Sequence, residues 1–196
     1  QVFERDVGGR RQFARVALQV APAPRGSGTA IEFKAGRNEI PPEFRADVEA
    51  GLNDGIVTGV LGRYPVTDVK VTVVGGRFDP EASTDVAFRT AAVLAFRDAV
   101  MKAAPQLLEP IMSLEIVTPA ECLGDVLGDL NGRRGKVLEM TAQGALQVVR
   151  TGVPLAELFG YSTVIRSLSR GRASYTMEPK QFEIVPLSVR EEILNR

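Results

Sequence analysis

The chain has 196 residues, 24 of them basic and 24 acidic, so its formal net charge at pH 7 is zero. Its hydrophobic content of 44% suffices for packed cores, and its length fits one large domain or two ordinary ones. The absence of histidine and the single cysteine, Cys122, exclude a Ser-His-Asp or Cys-His nucleophile, an internal disulfide and a cysteine-based zinc site. No apolar run approaches the ~20 residues that cross a bilayer, and the first residues show no signal-peptide pattern. We therefore expect a cytoplasmic protein with no membrane partner, in which Cys122 is a small buried side chain.

The first half of the chain, residues 1–105, is predicted to combine strands with two helices. Gly51 and Gly55 lie inside the first helix and lower its intrinsic stability by about 1 kcal/mol each relative to alanine, so we expect a closely packed neighbour beside them. Thr84 or Ser83 caps the second helix, whose wide apolar face indicates that it lies on a sheet. The strands are predicted at 2–4, 13–20, 30–35 and 66–74, the last ended by Gly75-Gly76, and the helices at 41–58 and 83–104.

A proline-flanked linker at 105–110 marks the expected domain boundary, and the second half follows a different order. Strand, helix, strand, strand, helix and strand succeed one another, which is the ferredoxin-like split βαβ pattern. The predicted elements are 111–118, 119–133, 136–142, 145–153, 155–168 and 172–185, with a last amphipathic helix at 188–195.

The second half also carries acids and tyrosines that could be considered for chemistry. Glu121, Asp125 and Asp129 recur at i+4 steps on one helix face, as paired acid catalysts or cation ligands would. A solvated face is the better interpretation, because no second element supplies partners and Asp129 can pair with Arg133. Tyr161 and Tyr175 are predicted to be core or rim aromatics rather than base-stacking platforms.

No nucleotide site is predicted. The nearest approach to GxxxxGK[ST] has Gly135-Lys136 followed by valine. We therefore expect no catalytic residue, metal or cofactor in these 196 residues.

Arginines cluster at three places, and each cluster has two interpretations. A glycine-led loop allows backbone approach to phosphates, and arginine forks match phosphate oxygens; the alternative is an exposed turn with ordinary surface arginines. At helix ends, arginines contact RNA or merely complement the helix dipole, which is worth about 0.3–1 kcal/mol each. The clusters are Gly8-Gly9-Arg10-Arg11-Gln12; Arg133, Arg134 and Lys136; and Arg166, Arg170 and Arg172.

Four long motifs resemble one family. Residues 124–131 read Gly-Asp-Val-Leu-Gly-Asp-Leu-Asn, followed by Gln-Val-Val-Arg at 147–150, Val-Pro-Leu-Ala-Glu-Leu-Phe-Gly-Tyr at 153–161 and Arg-Ser-Leu-Ser-Arg-Gly-Arg-Ala-Ser-Tyr-Thr-Met at 166–177. They closely resemble the last domain of elongation factor G, the ribosomal translocase, densely across 110–186. Upstream, Gly8-Gly9-Arg10 followed by Gln12-Phe13 resembles the Gly-Gly-Arg-Gly-Gln-Tyr loop of that family's fourth domain.

The resemblance implies a two-domain α+β fold. Residues 1–105 correspond to the fourth domain, an α/β sandwich with a left-handed βαβ crossover. A ferredoxin-like fifth domain at 110–186 and a C-terminal helix at 187–196 follow.

The resemblance also implies the function of a C-terminal fragment of a translational GTPase. Such a fragment is no enzyme by itself; it binds the ribosome (rRNA, tRNA and mRNA at the decoding region) and promotes translocation. GTP and magnesium would be held by an N-terminal G domain, which with domains II and III is absent from these residues, and the protein would be a monomer. A ribosome recycling or ribosomal-protection paralogue is the alternative in the same superfamily. A stand-alone small α+β enzyme is the alternative from another class.

Two loops are implied to form an RNA-contacting tip, Gly8–Gln12 and Arg77-Phe78-Asp79. The family usually has a histidine where this chain has Asp79 and a glycine where it has Arg11. A carboxylate repels phosphate, so these departures indicate a divergent paralogue, a recycling factor, or a compensating Arg11–Asp79 pair across the tip. The arginines of the fifth domain are implied to contact large-subunit RNA.

Overall fold

The computed structural model describes residues 1–195, apart from the side chains of Val7 and Arg10. The chain divides into two compact units, Gln1–Pro105 together with the residues from Glu191 on, and Gln106–Arg190. Each unit combines a four-stranded sheet with helices, which confirms the predicted mixed α+β class.

The sheet of the first unit has the order β1-β2-β4-β3. Its strands are β1 (Val2–Val7), β2 (Arg10–Pro22), β3 (Thr29–Phe33) and β4 (Val69–Arg77). β1 and β2 form a hairpin, β2 and β4 are antiparallel, and β3 and β4 are parallel. The helices are α1 (Arg45–Thr58), which follows a 3-10 turn at Pro42–Phe44, and α2 (Asp85–Lys102). The core contains Val16, Val73, Leu52, Phe88 and Phe96, all fully buried.

The two helices of this unit pack closely at the glycines of α1, as predicted. A Cβ at Gly51 would lie 2.3 Å from the carbonyl oxygen of Arg89, and one at Gly55 would lie 2.7 Å from Cδ1 of Phe96. Thr84 caps α2, because its hydroxyl oxygen accepts from the N–H of Ala87 at 3.1 Å.

The predicted end of the strand at 66–74 was wrong, since β4 continues through Gly75 and Gly76 to Arg77. A Cβ at Gly76 would lie 2.5 Å from Cγ1 of Ile40 and 2.8 Å from the carbonyl oxygen of Arg15. The glycine is therefore a point of close approach within the sheet rather than a stop signal.

The second unit has the strand order β6-β7-β5-β8 with every neighbouring pair antiparallel. Its strands are β5 (Leu108–Pro119), β6 (Lys136–Gln143), β7 (Leu146–Pro154) and β8 (Ser174–Ile184). The helices α3 (Leu123–Gly132) and α4 (Tyr161–Leu168) link β5 to β6 and β7 to β8, which confirms the ferredoxin-like pattern. Buried Leu114, Ile116, Val149, Leu130 and Tyr161 form its core.

The single helix predicted at 155–168 was wrong. A 3-10 turn (Leu155–Leu158) is separated from α4 by Phe159, which is extended, and Gly160, which has a φ of 73°. A residue with positive φ cannot continue a right-handed helix, so the chain turns there before α4 begins. The last helix, α5 (Leu187–Leu194), follows β8, and residue 196 lies outside the described residues.

Cys122 is 6% exposed, as predicted for a small buried side chain. Among residues 1–195, no helix has the length and apolar character that crossing a membrane requires.

Candidate nucleic-acid interface

The hairpin between β1 and β2 ends in a two-residue turn at Gly8 and Gly9. Their φ angles are 60° and 77°, as a type I′ turn requires at both central positions. A Cβ on either glycine would meet nothing within 4 Å, so backbone conformation rather than crowding explains them. The side chain of Arg10 lies outside the described part of the chain, and Gln12 is half-buried opposite Arg5. The turn is thus a narrow exposed tip.

The predicted pair between Arg11 and Asp79 is present. Nη1 of Arg11 lies 3.4 Å from Oδ2 of Asp79, and its Nε donates to Oε1 of Glu4 at 2.8 Å. The other oxygen of Asp79 accepts from the N–H of Glu81 at 3.0 Å. Asp79 therefore neutralises Arg11 and holds its own loop, although such exposed ion pairs are worth at most about 1 kcal/mol.

The loop that contains Asp79 is bonded to β2. The N–H of Asp79 donates to Oγ of Ser83 at 3.0 Å, and that hydroxyl donates to the carbonyl of Phe13 at 2.7 Å. Phe78 packs inward, with its ring 5.6 Å from that of Phe44 at the edge of the core. The loop predicted as a second tip is therefore anchored, and its aromatic ring is structural.

The open face of the first sheet carries an arginine cluster. Alternation along β2 places Arg11, Phe13 and Arg15 on one face, and Arg15 is the register partner of Arg77 in β4. The guanidinium carbons of Arg11 and Arg77 lie 5.5 and 5.9 Å from the centroid of the Phe13 ring. Arg15 and Arg77 are exposed, and neither has an ion-pair partner among the side chains that the structure describes.

Sequence reasoning missed Arg15. The alternation Arg11-Phe13-Arg15 signals a shared strand face, and that signal was available. The proximity of Arg77 to Arg15 could not be predicted from the sequence, because it depends on the pairing of β2 with β4.

In the second unit, Arg133 has internal partners. Its Nε lies 2.8 Å from Oδ2 of Asp129, the predicted i+4 pair, and its Nη1 donates to the carbonyl of Glu157. The guanidinium also lies over the ring of Tyr161, 5.2 Å from its centroid. With its side chain only 17% exposed, Arg133 braces α3 against the segment before α4.

Arg134 is held more tightly. Its two terminal nitrogens donate to the two carboxylate oxygens of Glu109 at 2.7 and 2.8 Å, and its Nε donates to Oε1 of Glu157 at 2.9 Å. The side chains of Arg134 and Glu109 are 25% and 11% exposed. The hydrogen bonds to Glu109, more than any other cause, raise the pKa of the Arg134 guanidinium above its ordinary value. The first predicted cluster of this unit is therefore mainly structural, and its exposed member, Lys136, pairs with Glu183 at 2.9 Å.

The second predicted cluster is more open. Arg172 donates a hydrogen bond to the carboxylate of Glu121, and this bond raises the pKa of the Arg172 guanidinium. Arg166 on α4 and Arg170 just beyond it are exposed, and within residues 1–195 neither side chain has an ion pair. Arg170 has a φ of 53°, so it lies in a tight left-handed turn before Gly171. Of the six predicted cations, Arg166 and Arg170 are therefore the two whose exposed guanidinium groups meet no carboxylate among the residues that the structure describes.

The acids Glu121, Asp125 and Asp129, the first of which lies in a 3-10 turn (Ala120–Cys122) before α3, do not form a site, and neither do the tyrosines. Glu121 and Asp129 are each bound to an arginine, Arg172 and Arg133 respectively, which supports the solvated-face interpretation. Tyr161 is 1% exposed and contacts Tyr175 edge-on at 5.1 Å, as predicted for core aromatics. In the described part of the chain, no group of three or more acids or cysteines could hold a metal ion.

Two family models match the chain, one in each unit. The model described as "Elongation factor G, domain IV" matches residues 1–104, and the model described as "Elongation factor G C-terminus" matches residues 106–193. The match to the first model alone covers more than half of the chain.

Individual relatives agree. The chain is 45% identical to elongation factor G 2 of Desulfotalea psychrophila over 195 residues, a coverage that rounds to 100% of this chain. It is 42% identical to elongation factor G of Aquifex pyrophilus over 192 residues, 98% of this chain. The chain spans 28% of the length of each. A crystal structure of a protein from Thermus thermophilus superimposes with a TM-score of 0.81 at 36% identity, covering 99% of this chain and 29% of that one. The chain therefore belongs to the elongation factor G family and corresponds to its domain IV followed by its C-terminal domain.

Proposed function

We propose that this chain is the ribosome-binding part of an elongation factor G-like GTPase that promotes translocation of tRNA and mRNA. The observation that carries the proposal is the pair of family matches, which follow one another along both units without a gap of more than one residue. Because the chain spans 28% of the length of each of these two relatives, the proposal assigns GTP and magnesium binding to a G domain elsewhere in the parent protein. That G domain and domains II and III are partners within the same cytoplasmic, monomeric protein.

In the first unit, the proposed RNA contacts are the hairpin tip and the arginines beside it. The bare turn at Gly8 and Gly9 allows the backbone to approach phosphates closely. Phe78 and Asp79 act indirectly, by packing and by holding the loop against β2. The contacting residues are Gly8, Gly9, Arg10, Arg11, Gln12 and Arg77.

In the second unit, Arg166 and Arg170 are proposed to bind ribosomal RNA. Both are exposed and unpaired within residues 1–195, so binding a phosphate would break no internal ion pair. Arg133 and Arg134 instead support the surface through their carboxylate partners.

The test is ribosome binding by the parent protein as a function of KCl. The double variant Arg166→Glu/Arg170→Glu is expected to lose at least about tenfold in affinity, with a salt slope smaller by about 2, since each phosphate contact contributes about 1. Lys180→Glu, at an exposed position of β8, is the control and should bind like the parent. Equal binding by the double variant would remove both arginines from the interface. A parent protein with no ribosome-dependent GTPase activity would overturn the function itself.

The recycling or protection role remains the second candidate, and the acid Asp79 at the position of the family's usual histidine favours it. Single-turnover translocation and subunit splitting, measured with the same parent protein, separate the two. Splitting without translocation would select the second candidate.

A further inference from the structure

We propose that Arg15 and Arg77 form a phosphate clamp on the open face of the first sheet, which binds the backbone of an RNA helix behind the hairpin tip. The proposal rests on the proposed function, which already assigns Arg77 to RNA, and adds to it Arg15 and the paired geometry of the two arginines on the sheet face.

The first observation is the direct opposition of two like charges. Arg15 in β2 and Arg77 in β4 are register partners, so their Cβ atoms lie about 4.5–5.5 Å apart on the same face. Like charges in that position destabilise a sheet. Both side chains are exposed, and no carboxylate among the described side chains forms an ion pair with either. An anion placed between the two guanidinium groups would relieve the repulsion.

The second observation concerns the acids nearby. Glu4 and Asp79 both bind Arg11, at 2.8 and 3.4 Å, and so do not reach the clamp. Glu39, whose Oε1 would lie 3.1 Å from a Cβ at Gly75, uses its other oxygen to accept from the N–H of Gly36 at 2.9 Å. Arg11 thus pairs with Glu4 and Asp79, a backbone N–H holds Glu39, and none of these three acids forms an ion pair with Arg15 or Arg77.

The third observation is pre-organisation. The guanidinium carbon of Arg77 lies 5.9 Å from the centroid of Phe13, a ring that is only 8% exposed. Arg11 lies over the same ring at 5.5 Å. Stacking on a rigid ring limits the freedom that the Arg77 fork would otherwise lose on binding.

The position of the clamp favours RNA as its ligand. Arg15 lies five residues beyond the start of β2, about 17 Å from the turn at 3.4 Å per residue. A backbone that touches the tip and lies along the sheet would therefore pass over the clamp. Paired arginine forks match the charge and the several acceptor oxygens of phosphates, which supply most contacts in nucleic-acid complexes.

The experiment uses the 196-residue chain and a fluorescein-labelled RNA hairpin whose stem is about one helical turn, measured by fluorescence anisotropy between about 50 and 200 mM KCl. Arg15→Gln and Arg77→Gln should each lower the salt slope by about 1, and the double variant by about 2 with at least about tenfold weaker binding. Arg15→Lys and Arg77→Lys should retain the slope but bind several-fold more weakly, because lysine lacks the fork. Arg97→Gln, at an exposed position of α2, is the control and should change nothing.

Three results would overturn the clamp. The first is absence of hairpin binding at the lowest salt concentration, and the second is an unchanged salt slope of RNA binding in the double variant. The third is binding of polyglutamate, but not of RNA, through these two arginines, which would indicate an acidic protein partner. Because Arg166 and Arg170 are untouched, ribosome binding by the parent protein tests the proposed function separately. Melting temperatures of all variants accompany the titrations; if the glutamine variants unfold, the lysine variants decide the outcome.

Discussion

Replacing Arg134 with methionine would test whether the arginines after α3 are structural braces or ligand contacts. Methionine retains much of the aliphatic volume but removes three hydrogen bonds, two to Glu109 and one to Glu157. Glu109 would then carry an unpaired charge with its side chain 11% exposed. The structure therefore predicts that Arg134→Met damages the fold before it affects any binding.

The magnitude follows from burial. Breaking a buried ion pair by removing one partner costs about 3–5 kcal/mol of unfolding free energy. The side chain of Arg134 is 25% exposed and that of Glu157 is 36% exposed, so water offsets part of this loss. We expect a loss of about 2–4 kcal/mol, which for a unit of this size lowers the melting temperature by roughly 10–25 °C.

Urea unfolding of the single and double variants is the assay. Arg134→Met/Glu109→Gln removes the orphaned charge, so it should be more stable than the sum of the two single losses by about 1–2 kcal/mol. Arg166→Met, at an exposed arginine of α4, should change the unfolding free energy by less than about 0.5 kcal/mol. A loss below about 1 kcal/mol for Arg134→Met, or strict additivity in the double variant, would refute the reasoning. Because the pKa of the folded Arg134 guanidinium is raised, the stability that its charge contributes is fully present below the ordinary arginine pKa and is lost only as pH rises through the folded value.

Two further predictions concern glycines and pH. Gly51→Ala should destabilise the first unit by about 1–3 kcal/mol, since its Cβ would lie 2.3 Å from the carbonyl oxygen of Arg89. Gly124→Ala in α3, where a Cβ meets nothing within 4 Å, should instead raise the unfolding free energy by about 0.5–1 kcal/mol. If urea unfolding shows that Gly51→Ala is stabilised, the packing argument is contradicted. The backbone N–H of Gly26, aided by that of Gly28 at 3.1 Å, holds the pKa of the Asp68 carboxyl below its usual value. The stability it contributes is present above its unfolded pKa of about 3.9 and is lost as pH falls through the lower folded value. Asp68→Asn should therefore flatten the acid limb of a stability-versus-pH curve, and parallel curves for the two proteins would exclude Asp68 as a contributor.

Local signals predicted most elements of this fold. Thr84 or Ser83 before an apolar helical stripe predicted the start of α2, and the alternation at 111–118 predicted a strand. The errors came where a local signal has two meanings. Gly76 was interpreted as a stop although it lies inside β4, and the glycine that separates the 3-10 turn from α4, Gly160, was passed over.

The elements and the family motifs are properties of neighbouring residues, because caps, turns and hydrophobic periods act over a few positions along the chain. Whether an arginine forms an ion pair does not depend on its neighbours in sequence alone, since strand register and helix packing determine which carboxylate lies beside it. Arg134 meets Glu109 across 25 positions, and Arg11 meets Asp79 across 68. The sequence therefore determined where arginines cluster, whereas only the tertiary structure decided that Arg133 and Arg134 are internal braces and that Arg15 lies beside Arg77. The physical reason is that Coulomb attraction and hydrogen bonding depend on separation in space, which the chain sets only after both sheets have formed.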